Sequence, residues 1–249
     1  MLALDVGGKK MVYMLGNTYC RLCQTNDEQL KRALVLSVRT MYWRGMVSNA
    51  GGNQSARLPG SDKIWITPSG YPRSELEPED LVQIDLDGNV IKGDLRPSIE
   101  VNMHLQVYKN RPDVNAVIHA HPPYTMGAAL SGYLEITHGE AAAILGDIKI
   151  IPYSHPGTVE LARNVGEAVR GEGAKVPRIV ILMNHGIISV GACVHEARAF
   201  AEIMEEWSRF NVASLALGGI KYKLSQTDLR KPGARYIRAV KFGGRPGSH

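Results

Sequence analysis

Ala116-Val117-Ile118-His119-Ala120-His121-Pro122-Pro123 decides how the chain is read. Ala116–His119 is a short, mostly apolar run, and its length favours a buried strand over a helix. Pro122 and Pro123 close it, because proline has no N–H to give to a strand ladder; a helix to about Leu130 should follow. Working outward toward the C-terminus, Ile148–Pro152 reads as a strand, Thr158–Arg170 as a helix and Gly171–Val176 as a loop. Ile179–Met183 and Ile187–Val190 read as strands flanking Asn184-His185-Gly186, with a long helix over His195–Leu217. Toward the N-terminus, Thr25 with Glu28 has the spacing of a capping box. It opens an amphipathic helix to about Gly45 with Leu30, Leu34, Val38 and Met41 on one face. Short β-prone runs follow at Asn53–Leu58, Lys63–Thr67, Leu81–Asp85 and Asn89–Lys92, the last two joined by an Asp87-Gly88 hairpin turn. Pro97 and Ser98 start a helix that runs to about Asn110. Paired strands mixed with helices argue for a sheet covered by helices, an α/β fold, rather than a bundle.

The 249 residues suffice for one α/β domain, and 44% hydrophobic residues can fill its core. That composition excludes collagen-like, disulfide-scaffold and fully disordered classes. Apolar runs such as Ile179–Met183 fall far short of the roughly 18 residues a membrane span needs, and Met11–Leu15 is too short for a secretory leader. A cytoplasmic, reducing location is the expectation. The net charge of +5 is unevenly spread. Eight Lys/Arg against Asp228 give +7 from Lys221 to His249, which leaves residues 1–220 at −2. The expected division is therefore a catalytic domain over 1–220 and a basic C-terminal extension over 221–249, irregular and disordered toward Gly243–His249. The basic tail has no zinc finger, stacking motif or other nucleic-acid module beside it, which argues against a nucleic-acid partner. Cys20 and Cys23 have CxxC spacing, but Cys193 alone does not complete a zinc ribbon and no thioredoxin-like βαβ context surrounds the pair, so both read as ordinary thiols.

His119 and His121 are two apart, and on an extended chain they point to one side. Two neutral imidazoles can then converge on one metal ion. His185, between two apolar strands, is either a third ligand or a turn histidine satisfied by backbone. Glu100 is either an acid at a helix N-terminus or a carboxylate beside the metal acting as a general base. His104, one turn on, either supports that carboxylate or fills the wall. Gly51-Gly52-Asn53-Gln54-Ser55 and Thr67-Pro68-Ser69-Gly70 are small-residue loops whose backbone N–H groups can approach an anion. Neither is a Walker loop or a dinucleotide fingerprint.

Taken in order, Gly52-Asn53-x-Ser55, Thr67-Pro68-Ser69-Gly70, Pro97-Ser98-Ile99-Glu100, Val117-Ile118-His119-Ala120-His121, Pro152-Tyr153 with Gly157-Thr158, and His185-Gly186 resemble the class II aldolase/adducin family. The resemblance covers about residues 27–217. It implies a three-layer α/β/α domain around a mainly antiparallel sheet, and a homotetramer with active sites between subunits. It also implies that His119, His121 and His185 bind a divalent metal, zinc first, with manganese, cobalt or iron as alternatives. Glu100 becomes the catalytic acid/base, and Asn53, Ser69, Gly70 and Ser98 fall in the anion pocket. His138 aligns with the tyrosine proton donor of the family's sugar-phosphate aldolases. Two positions depart from those aldolases: Ile99 replaces a phosphate-binding serine, and Ala50 replaces a threonine.

The activity implied is a metal-dependent lyase, an aldolase acting on a small ketose, its phosphate, or a hydroxy-keto acid, through a metal-stabilised enediolate. Two alternatives share the site: a metal-dependent decarboxylase of a hydroxy-aromatic or keto acid, and a pentulose-phosphate 4-epimerase. A non-enzyme alternative is an adducin-like structural module. The C-terminal segment could bring Tyr222 and Tyr236 to a neighbouring subunit's site.

Overall fold

The computed structural model describes Leu2–Val6, Lys9–Tyr13 and residues 24–135, 137–171 and 176–225. Cys20, Cys23, most of the 171–176 loop, Tyr236 and the rest of the extension beyond residue 225 lie outside those residues. So does Leu15 at the end of the short N-terminal apolar stretch.

Two antiparallel strands, β1 (Leu2–Val6) and β2 (Lys9–Tyr13), form a separate hairpin. The main sheet has eight strands: β3 (Asn53–Arg57), β4 (Ile64–Ile66), β5 (Val82–Ile84), β6 (Val90–Lys92), β7 (Ala116–Ala120), β8 (Ile148–Ile151), β9 (Ile179–Leu182) and β10 (Gly186–Gly191). Their spatial order is β6-β5-β4-β3-β7-β10-β9-β8. Every pairing is antiparallel except β8 with β9. The two central strands are β3 and β7, and on β7 His119 lies opposite Asn53 on one neighbour and Ile188 on the other.

Side chains alternate between the two faces of the sheet. Ala116, Ile118, Ala120, Ile179, Ile181 and Ile187 enter one apolar cluster. Val117, Val180, Leu182, Ile188 and Val190 enter the other. Helices α1 (Asp27–Trp43), α3 (Pro123–Leu130), α4 (Gly139–Leu145) and α6 (Val194–Ala216) contribute side chains to the first cluster. Helices α2 (Val101–Asn110) and α5 (Val159–Ala168) contribute to the second. The result is three layers, α/β/α, around a mainly antiparallel sheet. Each fully buried Leu, Ile or Met is worth about 1.5–3 kcal/mol relative to exposure. No helix among the described residues is long and apolar enough to cross a membrane.

Three local details differ from the sequence expectation. The cap of α1 is Asn26, whose Oδ1 accepts from Gln29 N, while Thr25 N and Oγ1 both donate to Gln29 Oε1. The reciprocal bonds are made by Gln29 rather than Glu28, whose carboxylate instead accepts from Arg32 Nε one turn on. The helix expected from Ser98 begins at Val101; Ser98–Glu100 forms a turn in which Val101 N donates to Ser98 O and Glu100 N donates to Ser98 Oγ. Helix α4 stands where no helix was expected. Its seven residues offer too little periodicity, but Ala141, Ala142, Ile144 and Leu145 are all buried.

Candidate functional site

His119 is fully buried near the end of β7, and the strand stops at Ala120. His121 follows with its backbone N–H donating to Met46 O. His185 arrives from the β9–β10 turn. That turn places Asn184 at φ 60, a left-handed conformation that asparagine tolerates. Gly186 next to it allows close approach: a Cβ there would sit 2.3 Å from Ala120 O and 2.7 Å from His121 Cδ2. Strand pairing β7–β10 therefore brings the three rings together. Ring centroids are 4.7 Å apart for His119–His121 and His119–His185, and 5.5 Å for His121–His185. One ligating atom from each lies within 4.8 Å of the others.

The tautomer of His119 is set by its surroundings. Its Nδ1–H donates to Ile187 O at 3.0 Å, which leaves Nε2 as a lone pair facing His121 Nε2, also at 3.0 Å. Burial, then the neighbouring His121 and His185, hold His119 well below its ordinary pKa. Burial and then His185 push His121 down to about 4. Burial lowers His185 as well, against the opposing pull of Glu100. At neutral pH the rings are uncharged, the form a metal ion requires. Three converging neutral imidazoles, one with its second nitrogen fixed by a carbonyl, fit a three-nitrogen metal set with an open fourth position.

Glu100 is the N-cap residue of α2, yet its side chain does not cap the helix. It turns toward the histidines: Oε2 lies 3.3 Å from His119 Nε2 and Oε1 lies 3.4 Å from His185 Nε2. The carboxylate is buried, and its Oε1 has no hydrogen-bond partner. Its Oε2 accepts from Asn53 Nδ2 at 2.7 Å.

Behind Asn53 runs a chain whose direction can be deduced throughout. Asn53 Oδ1 can only accept, so His104 Nε2–H donates to it at 2.5 Å. His104 is fully buried, and burial pushes its pKa down to about 3, so the ring is neutral and its Nδ1 must accept. Ser55 Oγ–H donates there at 2.7 Å, and Tyr108 O–H donates to Ser55 Oγ at 2.8 Å. Every donor in the chain points toward Glu100 Oε2. His104 thus reaches the carboxylate through Asn53 rather than directly. Ser55 stood in the sequence only as part of the Gly52-Asn53-x-Ser55 motif, and Tyr108 carried no signal, because a hydroxyl pair made by tertiary packing has no local pattern.

The remaining expected residues spread around this centre. Ser98 is buried and accepts from Glu100 N. Ser69 and Gly70 are exposed on a loop tied to the 96–98 segment by Ser69 N to Arg96 O and Ser98 N to Thr67 O. Ile99 is 69% exposed. His138 caps no backbone group; its ring packs edge-on against Phe210 at 5.0 Å and its buried Nδ1 has no partner. It makes no hydrogen bond or ring contact with the three histidines or Glu100. Tyr222 is 90% exposed.

Known proteins share both the sequence pattern and the fold. L-fuculose phosphate aldolase of Methanococcus maripaludis strain C7 is 40% identical over 172 residues, covering 69% of this chain and 89% of that protein. The 5-deoxy-D-ribulose 1-phosphate aldolase of Bacillus thuringiensis serovar kurstaki is 32% identical, covering 76% of this chain and 86% of that one. The crystal structure of L-fuculose-1-phosphate aldolase from Thermus thermophilus superposes with a TM-score of 0.67 at 26% identity, covering 78% of this chain and 98% of that one. Residues 32–212 match the Class II Aldolase and Adducin N-terminal domain, and the chain belongs to that family.

Proposed function

We propose that the chain is a metal-dependent aldolase that cleaves and forms a C–C bond beside the carbonyl of a small sugar phosphate. The observation that carries the reading is the Glu100 carboxylate, 3.3 and 3.4 Å from ring nitrogens of a neutral three-histidine cluster. His119, His121 and His185 would hold a divalent ion, and three neutral imidazoles suit zinc ahead of manganese, cobalt or iron. When bound, the ion supplies Lewis-acid stabilisation of negative charge on substrate oxygens.

The chain's own residues handle the protons. Asn53 holds Oε2 of Glu100, so Oε1 is the atom left to give or take a proton. In the cleavage direction the C3–C4 bond of a 2-ketose 1-phosphate breaks, and its electron pair moves to C3 in conjugation with the C2 carbonyl. The C4 hydroxyl loses its proton and becomes an aldehyde, while Glu100 Oε1 delivers a proton to C3. In synthesis Oε1 removes that same proton. The C4 oxygen's proton is assigned to His138 on its unpartnered Nδ1; unchanged turnover in His138→Asn would remove it from the reaction and leave the rest standing. Ser69, Gly70 and Ser98 belong to the phosphate end of the substrate, together with the second amide hydrogen of Asn53.

A cytoplasmic location goes with this substrate class, since a doubly charged phosphate does not cross a bilayer unaided. A homotetramer belongs to the same proposal, supported by family membership. The test is release of dihydroxyacetone phosphate from L-fuculose 1-phosphate or 5-deoxyribulose 1-phosphate. Release by metal-loaded protein, loss on chelation and recovery with zinc are expected. Release of CO₂ from a keto acid, with no aldehyde from either sugar, would move the protein to the decarboxylase alternative.

A further inference from the structure

Arg73 is 3% exposed, and no carboxylate among the described residues pairs with it. Four of its donors go to backbone carbonyls on two loops. Nε donates to Gly51 O at 3.2 Å and Nη2 to Gly52 O at 2.7 Å. Nη1 donates to Pro68 O at 3.2 Å and to Tyr71 O at 3.1 Å. Its own N–H donates to Asn49 O, and Asn49 Oδ1 in turn accepts from Ser74 N and Oγ. These contacts join the segment before Asn53 to the segment that holds Ser69 and Gly70.

The first segment borders the histidine cluster. A Cβ on Gly51 would sit 3.1 Å from His121 Nδ1, and one on Gly52 would sit 2.9 Å from His119 O. The second loop is bridged through Pro68 to Pro97, next to Ser98. Burial alone lowers the Arg73 pKa to about 10, so the group stays cationic at neutral pH. A buried cation whose acceptors are all neutral is costly, because the carbonyls return only part of the lost hydration. An anion bound beside those loops would supply the missing charge.

We infer that Arg73 is a positioning and specificity residue for the substrate's phosphate: its fork fixes the two glycine-bearing loops relative to each other, and its charge stands behind them as a fixed counter-ion. The fork geometry matters as much as the charge, because four carbonyls in two loops match a planar guanidinium and not a point-like ammonium. The inference rests on the sugar-phosphate reading of the site.

The test uses full-length, metal-loaded protein with Arg73→Lys and Arg73→Gln, and inorganic phosphate as the probe in isothermal titration calorimetry. The phosphate Kd should rise at least tenfold in Arg73→Gln, with Arg73→Lys in between. With a ketose 1-phosphate the loss should appear in KM rather than kcat, and the preference for the phosphorylated over the dephosphorylated ketose should fall by a similar factor. Phosphate affinity and selectivity equal to wild type in Arg73→Gln would overturn the inference. Should that variant not fold, the same result in Arg73→Lys would overturn it. Wild-type protein that binds phosphate in an Arg73-dependent way but cleaves no sugar phosphate would remove the aldolase reading and leave Arg73 standing. Wild-type protein that cleaves sugar phosphates with unaltered Arg73 variants would do the reverse.

Discussion

Two oxygens of one carboxylate have different fates. Oε2 of Glu100 is held by Asn53 and Oε1 has no hydrogen-bond partner, which in the proposed mechanism leaves proton transfer to a single atom. Glu100→Gln should keep bound metal at the wild-type stoichiometry and lose about 10²–10⁴-fold in kcat; metal analysis and steady-state kinetics check both halves. His104 supplies the second prediction. Its folded pKa is about 3 against an ordinary 6.5, so between those values the unfolded chain binds a proton that the folded chain does not. Stability is therefore complete above about pH 6.5 and falls with acidification, at up to about 1.4 kcal/mol per pH unit from this group. His104→Gln keeps a donor for Asn53 and an acceptor for Ser55 but cannot titrate. Denaturant unfolding between pH 7 and 5 should show a shallower pH slope in the His104→Gln variant than in wild type. His104→Leu should cost about 1–3 kcal/mol at neutral pH, by leaving the buried Asn53 Oδ1 unsatisfied.

At the scale of elements, the site is made by strand β7 and two turns laid against it. Gly186 is where the fit is tightest: a methyl group there would sit 2.3 Å from Ala120 O, so β10 would have to move off β7. Gly186→Ala should lower stability by about 1–3 kcal/mol and weaken metal binding, because His185 enters through that residue; thermal melts with and without added zinc measure both. The elements around β7 were legible because short apolar runs bounded by Pro, Asn and Gly leave few alternatives. The start of α2 was not: Ser98 has the chemistry of a cap, yet it spends its hydroxyl on Glu100 N and the helix begins three residues later. Helix α4 is too short to display a period, and only its burial against the core reveals it. Within the site, the histidine pair was legible from its spacing of two along a strand. Arg73 and Tyr108 were not, since their partners are backbone carbonyls and a hydroxyl brought near by tertiary packing alone.

For the whole molecule, the charge is unevenly divided. Residues 1–220 carry a slight negative charge, and the surplus of seven lies in the extension from Lys221. A chain ending at Ser225 should keep its metal and lose kcat/KM for an anionic substrate, with a weaker dependence on salt than the full chain. Unchanged kinetics across salt concentrations would assign the tail no part in substrate capture. Light scattering on the same two proteins reports whether the proposed tetramer depends on the tail. The central claim concerns the three-histidine centre and the Glu100 carboxylate beside it, and proton exchange tests it without any aldehyde partner. Metal-loaded wild type incubated with dihydroxyacetone phosphate in D₂O should replace one C3 proton by deuterium, seen by NMR, while chelated wild type and metal-loaded Glu100→Gln should replace none. Exchange at the wild-type rate in Glu100→Gln, with metal bound, would contradict the account.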